Sequence, residues 1–353
     1  MQKKIIALAI AAAMTAPALA FAEATVYGTI NMDVENYKSD KVTGATTPTS
    51  LNRFSNNASN IGVKGSEDLG GGMSAIYQFE AATNNAGGNA FGSTRNSNLG
   101  LKGDWGTLFA GNWDTPYKVT HNPVELFGNT TIFTATNLVG VTGNGVPGTA
   151  GTNWNTRQSS VVQYWTPNMN GFGAKLSYSL DPGKTTTTNK SNLSLNATYD
   201  NEMLYAGFAY ETRPDQTAAS TTDKAMRLTG EYKFPDSMGM VGLTYEKLTV
   251  ATGTTAGSPT GDQTNYELVG SWNVTANDSV GLSYAKNGEF NSIADSGASQ
   301  ISLRYGHHLS KATQVYAAYS ALSNDPNATY GSYTNEAAGA KVDGLGVGMI
   351  LAF

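Results

Sequence analysis

Residues 25–35 read Thr25-Val26-Tyr27-Gly28-Thr29-Ile30-Asn31-Met32-Asp33-Val34-Glu35, and apolar and polar side chains alternate along them. Successive side chains of a β-strand point to opposite faces, so this stretch has one apolar face and one that is largely polar. Asp33 and Glu35 belong to the polar face. The pattern predicts a strand with an apolar environment on one side and water on the other.

The same alternation recurs along the chain in pairs of short runs. Residues 60–64 lead through a glycine-rich turn at 67–72 into 73–80, and residues 97–102 lead through 103–106 into 107–111. Counting all such runs gives about sixteen strands, joined alternately by very short turns and by longer polar loops, as in outer-membrane barrels. We therefore expect an all-β fold, a 16-stranded antiparallel transmembrane β-barrel.

A soluble β-sandwich or propeller would also alternate, but its inward face would have to be apolar to supply a core. Here the second face is polar, and a barrel of about sixteen strands is wide enough to hold water. Aromatic residues stand near the predicted strand ends, where two membrane interfaces would place them. They are Tyr37, Tyr77, Phe79, Trp105, Phe109, Tyr164, Trp165, Phe172, Tyr199, Tyr232, Phe234, Trp272 and Phe353.

The start of the chain predicts export. Lys3 and Lys4 precede an apolar run, and Ala20-Phe21-Ala22 has the small-x-small pattern of a signal-peptidase site. The run is too short for a transmembrane helix, which needs about 20 residues. We expect residues 1–22 to be a cleaved signal peptide and residues 23–353 to form the barrel in the cell outer membrane.

Composition argues against several classes of function. The chain has 22 Lys and Arg against 27 Asp and Glu, and loss of Lys3 and Lys4 would leave a net charge near −7, which disfavours nucleic-acid binding. There is no cysteine, so disulfides and thiolate metal sites cannot form. His307 and His308 are adjacent and would point to opposite faces, and no acidic partner is evident, so they do not predict a metal site. His121 has no nucleophile beside it in sequence, and we expect neither an enzyme nor a cofactor.

One segment departs from the strand pattern. Residues 111–154 lack alternation over a length that is unusual for a connection, and they contain Asp114, His121 and Glu125. A loop of this length usually has a function. We interpret residues 113–154 as a loop that folds into the lumen and narrows a channel.

Several short motifs resemble the trimeric general porins of Gram-negative bacteria, most of all those of β-proteobacteria. They are Tyr27-Gly28, the run Gly65-Ser66-Glu67-Asp68-Leu69-Gly70-Gly71-Gly72, the run Gly111-Asn112-Trp113-Asp114-Thr115-Pro116-Tyr117, and the terminal Phe353. The resemblance spans the mature chain. It implies a third external loop folded inward, a homotrimer surrounded by outer-membrane lipid and lipopolysaccharide, and passive diffusion of small hydrophilic solutes and ions. Phe353 resembles the signal read by the outer-membrane assembly machinery, although the residues before it lack the usual basic or histidine residue.

Porin constrictions set acidic loop groups against basic wall groups. Glu125 resembles the acidic residue at the loop tip, whereas Asp114 could equally fix a local turn. On the wall, strand alternation directs Lys64 and Arg157 inward.

Two further wall positions are less regular. Arg95 matches a wall arginine of the family, but alternation places it with Leu99, so either a bulge or a loop must intervene. Asn60 stands where related porins commonly have arginine. Asp33 and Glu35 would add negative charge to the lumen.

The sequence and its resemblance to general porins favour a general porin over a substrate-selective channel. An outer-membrane barrel enzyme is the more distant alternative. For ion preference, the net charge, the inward Asp33 and Glu35 and the Asn60 position favour weak cation preference, whereas the family resemblance favours the opposite.

Overall fold

The computed structural model describes residues 23–44, 48–87, 90–128, 132–143, 146, 151–331 and 335–353. The predicted signal peptide lies outside these residues and stays a prediction. The described chain forms one closed antiparallel barrel of sixteen wall strands, which confirms the predicted fold class. Among the described residues, no helix combines the length and apolar character that a membrane crossing requires.

The strands of the structure are β1 (Glu23–Ser39), β2 (Thr49–Asn56), β3 (Asn60–Gly70), β4 (Met73–Thr83), β5 (Phe91–Thr94), β6 (Ser97–Gly103), β7 (Gly106–Asp114), β8 (Val141–Thr142), β9 (Thr152–Asn153), β10 (Arg157–Trp165), β11 (Phe172–Ser179), β12 (Asn192–Asp200), β13 (Leu204–Pro214), β14 (Thr222–Lys233), β15 (Gly239–Ala251), β16 (Thr260–Asn273), β17 (Asp278–Asn287), β18 (Ala298–His308), β19 (Thr313–Asn324) and β20 (Lys341–Ala352). Two wall strands are each interrupted. β2 and β3 pair with successive halves of β1, and β5 and β6 both pair with β4. The short strands β8 and β9 pair with each other, inside the long loop.

The first and last strands close the barrel. Thr29 lies opposite Ala352 and Ser39 lies opposite Val342, so β1 and β20 pair along most of their length. Phe353 continues this pairing, because its backbone N–H donates to the Gly28 carbonyl at 3.0 Å and its carbonyl accepts from the Gly28 N–H at 2.9 Å. Closure leaves no open sheet edge in the membrane, where an unpaired edge would be costly.

The two faces of the wall follow the sequence pattern. On β1, Val34 is 52% exposed on the outside, while the inward Asp33 and Glu35 are buried. The short turns also follow it: Gly70, Gly71 and Gly72 all have positive φ between β3 and β4, a conformation that glycine adopts without strain.

The aromatic residues divide between the two faces. The outer surface carries Phe79, Trp105, Phe172, Trp272 and Phe353, each more than one third exposed, as predicted for girdles. Tyr37 and Phe109 are buried on the lumen side, and Trp165 contacts Phe109 there, so their girdle assignment was wrong. A position near a strand end does not decide which face a ring occupies, because successive side chains of a strand point to opposite faces.

The segment between β7 and β10 lies inside the barrel. A short helix, α1 (Pro116–Val119), begins after Thr115, whose side chain accepts from the Lys118 N–H, and it packs against β12, β13 and β14. One-turn 3-10 helices follow at Asn122–Val124 and Ala135–Asn137. We call the described residues of 115–154 the inward loop.

Candidate pore constriction

A buried ion pair anchors the inward loop to the wall. The Arg227 guanidinium donates to Glu246 Oε2 from Nε at 3.0 Å and from Nη2 at 2.8 Å, and both side chains are fully buried. Loop groups complete the arrangement: Tyr117 Oη donates to Glu246 Oε2 at 2.8 Å, and the Gly140 N–H donates to the same carboxylate. Arg227 also donates to the Tyr117 carbonyl at 3.1 Å. One wall pair therefore fixes two separate parts of the loop.

Arg213 holds the end of the loop in the same way. Its guanidinium donates to the carbonyls of Asn153 and Trp154 at 2.8 and 3.3 Å, and it is paired with Glu211 at 2.7 Å. It also lies over the Trp154 ring, 4.3 Å from the centroid. Arg213 was not among the predicted site residues. Alternation along β13 places its side chain on the inner face, which is the signal that would have indicated it.

His121 is not isolated, as its sequence context had suggested. Its Nε2 lies 2.6 Å from Glu267 Oε2 on β16, and both side chains are buried. No alternation or spacing links two residues that are 146 positions apart. A second correction concerns His307, whose Nδ1 lies 2.7 Å from Asp278 Oδ1, so an acidic partner does exist.

An apolar contact holds the loop where it reaches the first and last strands. Phe127, Ile132 and Phe133 form a buried cluster with Tyr37 of β1 and Val342 of β20. The adjacent Ser320 hydroxyl donates to the Ile132 carbonyl at 2.6 Å. The loop contacts therefore extend from β12 around the inner wall to β1.

Glu125 closes a turn within the loop. Its Oε1 accepts from the Phe127 and Gly128 N–H groups at 2.9 and 3.2 Å, and its Oε2 accepts from the Thr134 hydroxyl at 2.7 Å. Burial raises the pKa of Glu125 above its usual range; His121 opposes this rise, whereas Glu267 adds to it. The side chain that was predicted as the acidic tip group is thus engaged in holding the loop's own shape.

Asp114 lies at the root of the loop and joins two basic groups. Its carboxylate is 2.6 Å from Lys118 Nζ and 3.3 Å from Arg157 Nη2. Asn96 bridges the same groups, since its Nδ2 donates to Asp114 Oδ2 at 3.0 Å and its Oδ1 accepts from Arg157 Nε at 2.6 Å. Its ion pair with Lys118 joins the end of β7 to α1, and its carboxylate lies beside two cations.

The position of Arg157 does not follow from simple alternation. A register shift between Gln158 and Val161 adds an extra residue to β10, and Ser160 has a φ of 54°. The alternation that was used to direct Arg157 inward is broken there. The contacts of Arg157 with Asp114 and Asn96, and not strand alternation, show that its guanidinium lies at the root of the inward loop.

Arg95 lies in the gap between β5 and β6. Its Nε is 2.6 Å from Glu80 Oε1, and the other Glu80 oxygen accepts from Tyr27 Oη at 2.9 Å. Simple alternation placed Arg95 on the same face as Leu99 unless a bulge or a loop intervened. The break between β5 and β6 is such an irregularity. Arg95 directly precedes Asn96, which bridges Asp114 and Arg157.

The remaining predicted groups are more dispersed. Lys64 on β3 lies over the Tyr27 ring, 5.0 Å from the centroid. Asn60 donates from Nδ2 to the Ala58 carbonyl at 3.1 Å, beside the break between β2 and β3.

Asp33 accepts from Tyr316 Oη at 2.9 Å, and Glu35 is paired with Arg53 at 2.5 Å. Asp33 and Glu35 are 2% and 0% exposed, so little of their surface meets the lumen.

The comparisons with known proteins agree on one family. The family model for Gram-negative porins matches residues 7–329. The chain is 29% identical over 341 residues to outer membrane porin protein 32 of Delftia acidovorans, covering 94% of this chain and 92% of that protein. It is 30% identical over 237 residues to the major outer membrane protein P.IB of Neisseria lactamica, covering 65% of this chain and 64% of that protein, which is less than two thirds of its length.

A solved structure is also similar over nearly the whole chain. The anion-selective porin from Comamonas acidovorans superposes with a TM-score of 0.77 at 25% identity, covering 94% of this chain and 100% of that one. The closed sixteen-stranded barrel, its inward loop and the family match lead to one assignment: the chain belongs to the family of Gram-negative porins and is a β-barrel protein of the outer membrane.

Proposed function

We propose that the chain forms a water-filled channel for passive diffusion of small hydrophilic solutes and ions, and that it prefers anions. The observation that carries the ion preference is the cluster of Arg95, Lys118 and Arg157 beside Asp114 at the root of the inward loop. With Glu80 included, three cations are set against two carboxylates. A local excess of positive charge in a narrow passage raises the concentration of anions there.

The acidic residues that favoured cation preference have little access to the lumen. Asp33 and Glu35 are buried, and Glu35 is neutralised by Arg53. Glu246 and Glu267 are buried under the loop against Arg227 and His121. The net charge of the chain is therefore a poor guide to the charge that a permeating ion meets. The similar porin from Comamonas acidovorans is anion-selective, which supports the same preference for this chain.

The main test is the reversal potential of the refolded protein in planar bilayers under a KCl gradient. The native channel is expected to give the sign of anion preference, and Arg157→Gln is expected to move the potential towards cations because it removes one positive charge of the cluster. Lys184→Gln is the matched control, since Lys184 is exposed in the external loop between β11 and β12. A native potential with the cation sign, or equal potentials for Arg157→Gln and Lys184→Gln, would contradict the proposed preference. A folded barrel without conductance would contradict the channel itself.

We also propose that three barrels assemble into a trimer. The support is a trimer form among the structures of the same fold, an outer-membrane protein of Vibrio cholerae, with a TM-score of 0.64 and 18% identity. Conductance steps that occur in groups of three, together with the mass of the protein–detergent complex by light scattering, test this assembly. Steps that occur singly and a monomeric mass would contradict it.

A further inference from the structure

Three aromatic rings form a cluster on the lumen face of the wall. Phe109 and Trp113 of β7 and Trp165 of β10 make edge contacts, with ring centroids 5.0 Å apart for Phe109 with Trp113, 5.0 Å for Phe109 with Trp165, and 5.9 Å for Trp113 with Trp165. Phe109 is buried by its neighbours, whereas Trp113 and Trp165 remain partly exposed. This cluster departs from the polar character that alternation predicts for the inner face.

The two tryptophans border open space on both sides. One recess of about 550 Å³ is lined by all three rings together with Lys64, Gln78 and Asn98. A second recess, of about 340 Å³, shares Trp113 and Trp165 and extends to Lys175 and Asp114. The partly exposed faces of the two tryptophans border these recesses, and covering apolar surface with a ligand contributes about 25 cal/mol per Å².

Two ammonium groups line these recesses, one in each. Lys175 Nζ lies 4.6 Å from the Trp165 ring centroid, and Lys64 Nζ lies 5.0 Å from that of Tyr27. Neither lysine forms an ion pair with any residue that the structure describes, in contrast to Arg95, Lys118 and Arg157. The site thus offers flat apolar surface and uncompensated positive charge side by side.

We propose that this aromatic cluster is a binding subsite for aromatic carboxylates, which makes their passage through the channel saturable. The solute ring would pack against Trp113 and Trp165, and its carboxylate would pair with Lys175. An aromatic carboxylate can make both an aromatic pair and a charge-assisted hydrogen bond at this site. A simple inorganic anion can make only the hydrogen bond. The subsite rests on the proposed channel function and adds a preferred class of solute to it.

The position of the cluster fits a step after the constriction. Trp113 directly precedes Asp114, and Phe109 lies further along β7 towards the short turn that joins β6 to β7. In barrels of this kind the short turns are periplasmic. An anion that has passed Arg95 and Arg157 from outside would therefore meet the aromatic cluster next.

The test is a titration of single-channel KCl current with benzoate, with cyclohexanecarboxylate of the same charge and similar size, and with neutral benzamide. Native protein is expected to show saturable reduction of current by benzoate, with half-saturation about threefold to tenfold below that of cyclohexanecarboxylate, since the gap reflects the ring contact. Benzamide should be weaker than both acids. Equal, non-saturating responses to the three solutes would overturn the proposal.

Two variants separate the ring contact from the charge. Trp165→Leu is expected to remove most of the difference between benzoate and cyclohexanecarboxylate, whereas Lys175→Gln is expected to weaken both acids by a similar factor and leave benzamide unchanged. Trp272→Leu is the matched control, because Trp272 lies on the outer surface and is 47% exposed.

Unchanged benzoate half-saturation in Trp165→Leu and Lys175→Gln would overturn the subsite, and if Trp165→Leu does not fold, Lys175→Gln decides alone. The KCl conductance of each variant is measured in the same experiment. A folded native barrel without conductance would overturn the channel function, whereas a conducting channel without saturation would overturn only the subsite.

Discussion

At the scale of single residues, Glu125 gives a prediction about pH. Burial raises the pKa of this carboxyl above its ordinary value of 4.5. An acid with a raised pKa in the docked loop binds its proton more tightly there than in a released loop. Docking is therefore most stable below the ordinary pKa, and it weakens as the pH rises through the raised pKa. Glu125→Gln has no such titration, so this part of the pH dependence should disappear.

The measurement is the frequency of spontaneous current fluctuations in bilayers from about pH 4 upward, the region in which a glutamate begins to ionise. Native channels should become noisier as the pH rises, and Glu125→Gln should respond less. Glu202→Gln is the control, because Glu202 is exposed in the turn between β12 and β13. If Glu125→Gln keeps the native response, the titration of Glu125 does not govern docking of the loop.

Residue positions were predictable from the sequence only where regular alternation persists. Lys64, Asp33 and Glu35 lie on uninterrupted stretches, where counting assigns each side chain to one face. Counting fails for Arg157 because of the bulge at Ser160, and for Arg95 because the strand is broken beside it. The same counting would have placed Phe109 inward, opposite to Leu108, which is 43% exposed.

At the scale of elements, the inward loop could be recognised from the sequence but its attachment could not. Its missing alternation marks it as something other than wall. Its anchors, however, are contacts such as Tyr117 with Glu246, which are 129 positions apart. No local periodicity encodes such a pair, because it exists only when the barrel closes and brings β15 beside the loop.

The buried ion pair of Arg227 and Glu246 gives a prediction about the stability of this attachment. Glu246→Gln leaves the Arg227 charge buried without its carboxylate partner, so the free energy of unfolding should fall by about 3 kcal/mol. Urea unfolding of the refolded protein in detergent, followed by tryptophan fluorescence, measures the change.

A matched exposed pair supplies the control for that experiment. Asp262 lies 2.7 Å from Lys247, and the two side chains are 52% and 47% exposed. Water screens a pair of this kind, and Asp262→Asn should cost less than about 1 kcal/mol. If Glu246→Gln and Asp262→Asn lower the free energy of unfolding by similar amounts, burial is not the reason that the pair of Arg227 and Glu246 stabilises the protein.

At the scale of the whole molecule, Phe353 extends the strand pairing that closes the barrel, and it is also the residue predicted as an assembly signal. Phe353 pairs with Gly28 through its backbone, while its side chain is 54% exposed on the outside. Phe353→Ala keeps the backbone pairing and removes only the ring. We therefore expect refolding into detergent micelles to be nearly unchanged, but the amount assembled in the outer membrane of cells to fall severalfold.

The matched variant is Phe79→Ala, which removes an outward ring that is 68% exposed on β4. If Phe353 were only another girdle aromatic, the two variants would lose assembly in cells to the same extent. If the Phe353 ring is recognised as a signal, only Phe353→Ala should separate assembly in cells from refolding in micelles. If Phe353→Ala instead lowers both the refolding yield in micelles and the amount assembled in cells, the ring contributes to the stability of the closed barrel. The assembly machinery is absent from detergent micelles, so a loss of refolding there cannot come from recognition by that machinery.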